Sequence, residues 1–372
     1  MTSNTQGVGG LTFDKSKRSW PNELNVFIAL VIIVVIFEVL NRINGGSFLF
    51  NMNPANPGIF NQVRIDVMIL QVAVTGIIAL GVTQVIISGG IDLSSGSIVG
   101  ASAMIIMSFA QTQFVNGNPN PKAIFGPWAM DLPVIVPIVV GIICGLLAGV
   151  INGALIAYTR IPPFIATLGM MVSARGVSRW WSNGNPISFP TESYGQLANG
   201  DMLGGLTFGL FHWKGQNPAL IYILLAILFH YVMKYTVYGK RCYAIGSNED
   251  AARMSGINVQ SHKVLVYAIA AMLAAIATIL LTSKNLTAQA GMGMQYELDA
   301  IAMAVIGGIS LSGGRGSITG TVLGAMIFSV IISGFTSINL GAYYQEMVKG
   351  AIIVAAVVLD QWQQRRASSR VK

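Results

Sequence analysis

The feature that most constrains this chain is the recurrence of apolar runs close to twenty residues long. A bilayer core of about 30 Å takes about 20 apolar residues per helix, and about ten runs meet that measure. They are centred near Ile33, Ala79, Met104, Ile143, Met171, Leu225, Ala274, Ala304, Met326 and Ala356. Charged residues make up 10% of the chain, against roughly 25% in soluble proteins, and mean hydropathy is +0.64. Each run is long enough to satisfy its own backbone as a helix in lipid. The expected fold class is an all-α integral membrane protein. Residues 1–20 read as a polar tail carrying Lys15, Lys17 and Arg18, 21–362 as the transmembrane domain, and 363–372 as a second tail. No apolar run follows Met1 within the tail, so the first long run reads as a retained anchor rather than a cleaved signal.

Lys and Arg set the expected orientation. With the N-terminus inside, the even-numbered connections carry Arg160, the cluster from Lys234 to Lys263, and Arg315, and the last tail adds Arg365, Arg366, Arg370 and Lys372. Such a bias marks the cytoplasmic side. The opposite loops are poorer, with Lys122, Lys214 and Lys284, and Trp128, Trp180, Trp181 and Trp213 fall near outer boundaries, where amphipathic rings are favoured. Both termini are therefore expected in the cytoplasm.

The loop at 234–263 holds a run with the grammar of a short helix. Asn248 can cap it, Glu249 and Asp250 face the positive end of its dipole, Arg253 sits in its last turn, and Gly256 can end it in the left-handed conformation. A helix of about two turns is marginal alone. It is either a solvated connector or a peg that docks on a soluble partner.

Two further patterns concern packing. Gly141, Gly145, Gly149 and Gly153 share one face of the fourth span, and Gly316, Gly320 and Gly324 repeat the arrangement in the ninth. Small residues at this spacing let two helices approach closely in lipid. The chain also repeats itself: Gly89-Gly90-Ile91-Asp92-Leu93-Ser94-Ser95-Gly96 returns as Gly307-Gly308-Ile309-Ser310-Leu311-Ser312-Gly313-Gly314, identical at six of eight positions. Internal repeats and broken helices are common around transporter pathways. Each copy is either a tight turn between spans or a break beside a pathway.

Most enzymatic chemistry is excluded. Leu311 to Arg315 imitates a nucleotide-signature loop and Ile353 to Asp360 a Walker B strand, yet there is no phosphate loop to hold a triphosphate. No catalytic constellation stands out. Cys144 and Cys242 are far apart, and His212, His230 and His262 show no ligand spacing, so neither metal nor cofactor is expected. No basic stripe with stacking aromatics points to nucleic acid. Ionisable or polar groups inside spans are pathway candidates by default: Asp92, Ser94, Ser95, Thr167, Glu297 and Asp299. Glu297 and Asp299 open the eighth span, where they also read as caps at its outer mouth. Lys349 reads as snorkelling to the outer surface, and Arg175 and Arg179 as interfacial.

Several long runs, in order, carry a resemblance. They are G-G-I-D-L-S-S-G-S (89–97), I-P-P-F-I-A-T-L-G-M-M (161–171), Y-G-K-R-C-Y-A-I-G-S-N-E-D-A-A-R-M-S-G-I-N-V (238–259), Y-E-L-D-A-I-A-M-A-V-I-G-G (296–308) and Y-Q-E-M-V-K-G-A-I-I-V-A-A-V-V-L-D (344–360). Together they resemble the membrane subunit of carbohydrate-type ABC importers, the ribose, galactose, xylose and inositol permease family, over nearly the whole chain after the tail. The resemblance implies a homodimer of permeases in the bacterial inner membrane, a cytoplasmic ATPase subunit that carries all the hydrolysis, and a periplasmic sugar-binding protein. It implies that Gly239, Asn248, Glu249, Asp250, Ala251, Ala252, Arg253 and Gly256 couple the chain to the ATPase. The runs from Pro162 to Gly176 and Ala290 to Ala302 look most like the inositol branch, which puts myo-inositol ahead of ribose or galactose. The segments Gln113 to Leu132 and Gln196 to Gln216 depart from shorter members and read as outer loops. An ion-coupled sugar carrier working alone is the competing reading, but it has no need of the 238–259 loop. A membrane-embedded enzyme has no catalytic constellation to support it.

Overall fold

The computed structural model describes residues 22–51, 60–202, 207–208, 211–212 and 216–369. The 1–20 tail, Trp213, Lys214, Arg370 and Lys372, with the side chains of Arg365 and Arg366, lie outside the described residues. The helices are α1 (Asn22–Ile43), α2 (Gln62–Ile87), α3 (Ser95–Ala110), α4 (Ile135–Thr159), α5 (Pro163–Trp181), α6 (Glu192–Asn199), α7 (Asn217–Tyr235), α8 (Val237–Ser247), α9 (Glu249–Met254), α10 (Val259–Asn285), α11 (Tyr296–Ile306), α12 (Ile318–Ser337) and α13 (Ala342–Ser369). The fold is that of an all-α integral membrane protein. All ten expected span centres fall inside helices, but the helices are not ten equal spans. Among the described residues six are long and apolar enough to cross a bilayer: α1, α2, α4, α7, α10 and α12. At 1.5 Å per residue α3 reaches only about 24 Å and α11 only about 17 Å, short of a 30 Å core.

Lipid gives these helices no hydrophobic reason to associate, so close approach and polar pairs must hold them together. Helices α2 and α10 form the interior, and α1 and α4 keep much of their surface outward. The glycine face of α4 lies along α10. A methyl group on Gly145 would fall 2.6 Å from the Ala271 carbonyl, and one on Gly153 2.6 Å from the Val264 Cα. Gly141 meets Ile106 and Ile279, and Gly149 meets Tyr267 and Ala268. In α12, Gly320 and Gly324 press on the backbone of Gly307 and Met303 in the same way, while Gly316 lies in the loop before the helix, against Ile309. Hydroxyl pairs add register: Thr83 with Thr321 at 2.8 Å, Ser102 with Thr278 at 3.2 Å, and Tyr194 with Thr282 at 2.6 Å.

The end of the molecule opposite α9 is tied by short strands. Antiparallel β1 (Phe114–Val115) and β2 (Asn118–Pro119) make a hairpin beyond α3, and β3 (Ile187–Ser188) follows α5. The pair β4 (Thr207–Phe208) and β5 (Phe211–His212) sits between α6 and α7, and β6 (Thr287–Ala288) follows α10 and pairs with β3. The second departing segment, Gln196 to Gln216, thus holds the end of α6 and the β4–β5 pair, and part of it lies outside the described residues. Trp128 and Trp180 are exposed here, whereas Trp181 turns inward and donates from Nε1 to Ser108 at 2.9 Å.

The α4–α10 contact makes a direct test. Gly145→Leu forces α4 away from α10 and destabilises the chain by about 1–3 kcal/mol. Gly350→Leu on α13, where a side chain meets nothing within 4 Å, leaves the melting temperature in detergent unchanged.

Candidate functional site

Helix α9 is built almost entirely from local interactions. Asn248 leaves the helical region at φ −161°, and its Oδ1 accepts the Ala251 N–H at 2.9 Å. Glu249 pairs with Arg253 at 3.0 Å and with Lys263 on α10 at 2.6 Å. The helix ends where Gly256 takes φ +83° and Ile257 N–H reaches back to the Ala252 carbonyl at 3.1 Å. Beneath it, Ala252 packs with Ile245 and Val259. The other face presents Asp250, Ala251, Arg253 and Met254, and Met254 is 84% exposed. Met254 thus stands free at the tip of a capped, salt-bridged helix. Gly239 is not part of that surface. It lies at the α7–α8 corner against the Met233 backbone, where its lack of a side chain lets the two helices meet.

Helix α8 fastens α9 to both copies of the internal repeat. Gly314 N–H donates to the Ile87 carbonyl at 2.8 Å, joining the second copy to the end of α2. Gly246, two residues before Asn248, sits on that joint: a methyl group there would overlap the Ile87 carbonyl and lie 2.6 Å from Gly314 N. Gly313 approaches Gly89 and Gly246 in turn. Tyr243 donates to the Gly316 carbonyl at 2.9 Å and Tyr238 to Gln84 Oε1 at 2.8 Å. Cys242 lies 3.2 Å from His262 Nε2. Burial pushes its thiol up to about 12, so it packs as a neutral group. Sequence pattern gave no hint of Gly246; a lone glycine in a short amphipathic helix carries no visible signature.

Both repeat copies are turns, with positive φ at Gly89 (81°) and Gly308 (87°). After the first, Ile91 to Ser94 return as non-helical backbone before α3 begins. Asp92, 1% exposed, starts that helix: its Oδ1 accepts from Ser94 N at 2.8 Å and Ser94 Oγ at 2.6 Å. Asn152 on α4 donates to Ser94 Oγ at 2.8 Å. The Thr167 hydroxyl bonds the Pro163 carbonyl of its own helix at 2.9 Å and reaches the Ile91 carbonyl at 3.5 Å.

The largest departure from expectation is at α11. Residues 289–295 are non-helical and run inward beside α3 and α5, so α11 starts deep in the protein. Arg175 Nη1 donates to the Met292 carbonyl at 2.9 Å and Ser178 Oγ to the Ala290 carbonyl at 3.0 Å. Backbone acceptors freed from a helix among spanning segments must be satisfied by protein, and these side chains do so. Glu297 stands in the first turn of α11, where a cap is expected, but it is buried rather than open at a mouth. It lies against Gly96 in the first turn of α3, only 8% exposed. Asp299 faces the other way and pairs with Lys349 of α13 at 3.1 Å. Lys349 consequently points inward, with its ammonium 5.5 Å from the Phe328 ring centroid, and does not snorkel. The structure thus gathers Asp92, Ser94, Ser95 and Glu297 about the start of α3, with Thr167 at its edge and Asp299 apart. Asn152 and Arg175 complete the group.

The profile of a family described as branched-chain amino acid transport system / permease component matches residues 64–357. The chain belongs to this permease family. It is 40% identical over 341 residues to a ribose import permease protein of Bacillus subtilis, covering 91% of this chain and 92% of that one. It is 32% identical over 361 residues to the ribose import permease protein of Escherichia coli K12, covering 97% and 99% of the two chains. A galactose/methyl galactoside import permease protein of Salmonella typhimurium is 32% identical over 352 residues, covering 93% and 96%.

The Asp299–Lys349 pair is testable without any transport assay. Removing one partner strands a buried charge, so Lys349→Met lowers stability by about 3 kcal/mol. Adding Asp299→Asn to that variant recovers more than half of the loss, read as melting temperatures of the purified protein.

Proposed function

We propose that the chain is the membrane permease subunit of a bacterial sugar importer driven by a separate cytoplasmic ATPase and supplied by a periplasmic sugar-binding protein. The observation that carries this reading is α9: an exposed, capped helix joined through α8 to both repeat turns. A partner that grips Met254, Arg253 and Asp250 moves the ends of α2 and α11 with it. The chain supplies the path and the transmission, and the hydrolysis belongs to the partner. The basic loops and tails favour placing α9 and both termini in the cytoplasm.

The solute is a monosaccharide or cyclic polyol. Family relatives named for ribose and galactose move ribose ahead of galactose. They also move both ahead of myo-inositol, which rests on the resemblance of two runs. The pathway runs past the group around the start of α3. A second copy completes it, a reading supported by α5. That helix is not among the six apolar spans, carries Arg175 and Arg179, and leaves Gly169, Ser173 and Gly176 uncovered. Such a face suits another protein copy or water better than lipid. At the far end, a groove of about 720 Å³ between the β1–β2 hairpin, α6 and Lys284 offers a seat for the binding protein.

Purified chain in proteoliposomes takes up ribose only with ATP, the ATPase and the loaded binding protein present. Met254→Asp together with Arg253→Glu cuts ATP-driven uptake at least about tenfold by removing the anchor and reversing its charge, while the melting temperature holds. Uphill uptake by the chain alone on an ion gradient would falsify this reading in favour of a secondary carrier.

A further inference from the structure

Three buried side-chain atoms flanking the start of α3 lack a hydrogen-bond partner in the described structure: Glu297 Oε2, Ser95 Oγ and Asn152 Oδ1. Ser95 and Asn152 are each 1% exposed and Glu297 is 8% exposed. Buried polar groups are nearly always satisfied, and an orphaned carboxylate oxygen is among the costliest exceptions. Glu297 and Ser95 flank Gly96 directly. The Glu297 carboxylate presses on the Gly96 backbone, where any side chain would displace it. The first-turn N–H groups of α3, from Ser95, Gly96 and Ser97, have no acceptor within their own helix. Asp92 is committed to Ser94.

The site therefore sets an anionic acceptor beside a cluster of free donors. That combination discriminates among ligands. A bare cation would meet the positive end of the α3 dipole, and an anion would meet the Glu297 and Asp92 carboxylates. A neutral hydroxyl group both donates and accepts, and it satisfies both sides at once. We propose that Glu297 Oε2, with Ser95 and the first turn of α3, forms a transient hydroxyl-binding step for a neutral polyhydroxy solute. This structure shows the step closed, with α11 seated on α3. Opening requires α11 to withdraw from Gly96. That movement has to release the loop before α11 from Arg175 and Ser178 and part Gly293 from the Gly96 carbonyl, while the residues that follow the helix stay tied through Gly313 and Gly314 to α8. The proposal rests on the reading of the chain as a sugar permease and adds to it the class of solute group bound and the atoms that bind it.

The test uses the assembled complex in proteoliposomes, with ribose as the probe, reading uptake and ATP hydrolysis in the same vesicles. Glu297→Gln keeps an acceptor oxygen, and Glu297→Leu fills the space without one. The expected order is parent, then Gln, then Leu, with Leu at least about tenfold below parent. Stimulated hydrolysis and melting temperature stay at parental values, so only solute moved per ATP falls. Ser95→Ala, which cannot disturb the fold by size, reduces uptake by about twofold to fivefold. Parental uptake by the Leu variant overturns the proposal, as does equal loss in Gln and Leu. A joint fall of uptake, hydrolysis and melting in the Glu297 variants, with Ser95→Ala at parental uptake, assigns Glu297 a structural role and also overturns it. So does a requirement for sodium or potassium over choline, which would make the occupant a cation. Failure of the parental complex to move ribose would remove the permease reading itself, whereas the other adverse outcomes leave that reading in place.

Discussion

Within hydrocarbon, a peptide group that leaves a helix must find its partner in the protein. This chain leaves its helices in two kinds of place, at the repeat turns and in the run before α11. At the turns, the Ile87 carbonyl and the Gly314 N–H satisfy each other. Before α11, Arg175 and Ser178 receive the carbonyls of Met292 and Ala290. Each interruption is thereby tied to a distant part of the sequence. The breaks do not loosen the fold; they join α2 to the second repeat copy, and α5 to the loop that feeds α11.

The helices divide by how they are held. Along α4 and α10 backbone meets backbone through glycine and alanine, with no side chain able to slide between. Helices α3 and α11 are short, begin at interior positions, and meet through a carboxylate against a bare α-carbon. Close-packed interfaces resist deformation, so displacement is more easily taken up at the second kind of contact. The Asp299–Lys349 pair adds a tether from α11 to α13 that is partly exposed at its lysine end.

Much of this was legible in the residues. Apolar length located all ten helices, and the spacing of four in Gly141 to Gly153 marked a face that the structure lays on α10. The cap, charges and terminating glycine around Asn248 to Gly256 gave α9 to within a residue or two. The failures have a common cause. Hydropathy counts residues without measuring depth, so the apolar run of α11 read as a full span, and Glu297 was assigned to its outer mouth. Only the path of residues 289–295, set by Arg175 and Ser178 from another helix, moves it inward. Lys349 misled for the same reason: snorkelling is a local argument, and Asp299 is a long-range partner. Gly246 and Asn152 were invisible because what matters about them is what they touch.

The joint at Gly246 also sets how the molecule tolerates change. Backbone from three separate regions of the sequence converges there through Gly89, Gly246, Gly313 and Gly314, with only the Ser247 hydroxyl close by. Mutational load is therefore uneven: a half-buried position in the short helix α8 is as intolerant of one extra carbon as the centre of the bundle. The outward faces of α1 and α4 carry no such constraint, so what the fold requires to stay bare is this small crossing rather than its broad surface.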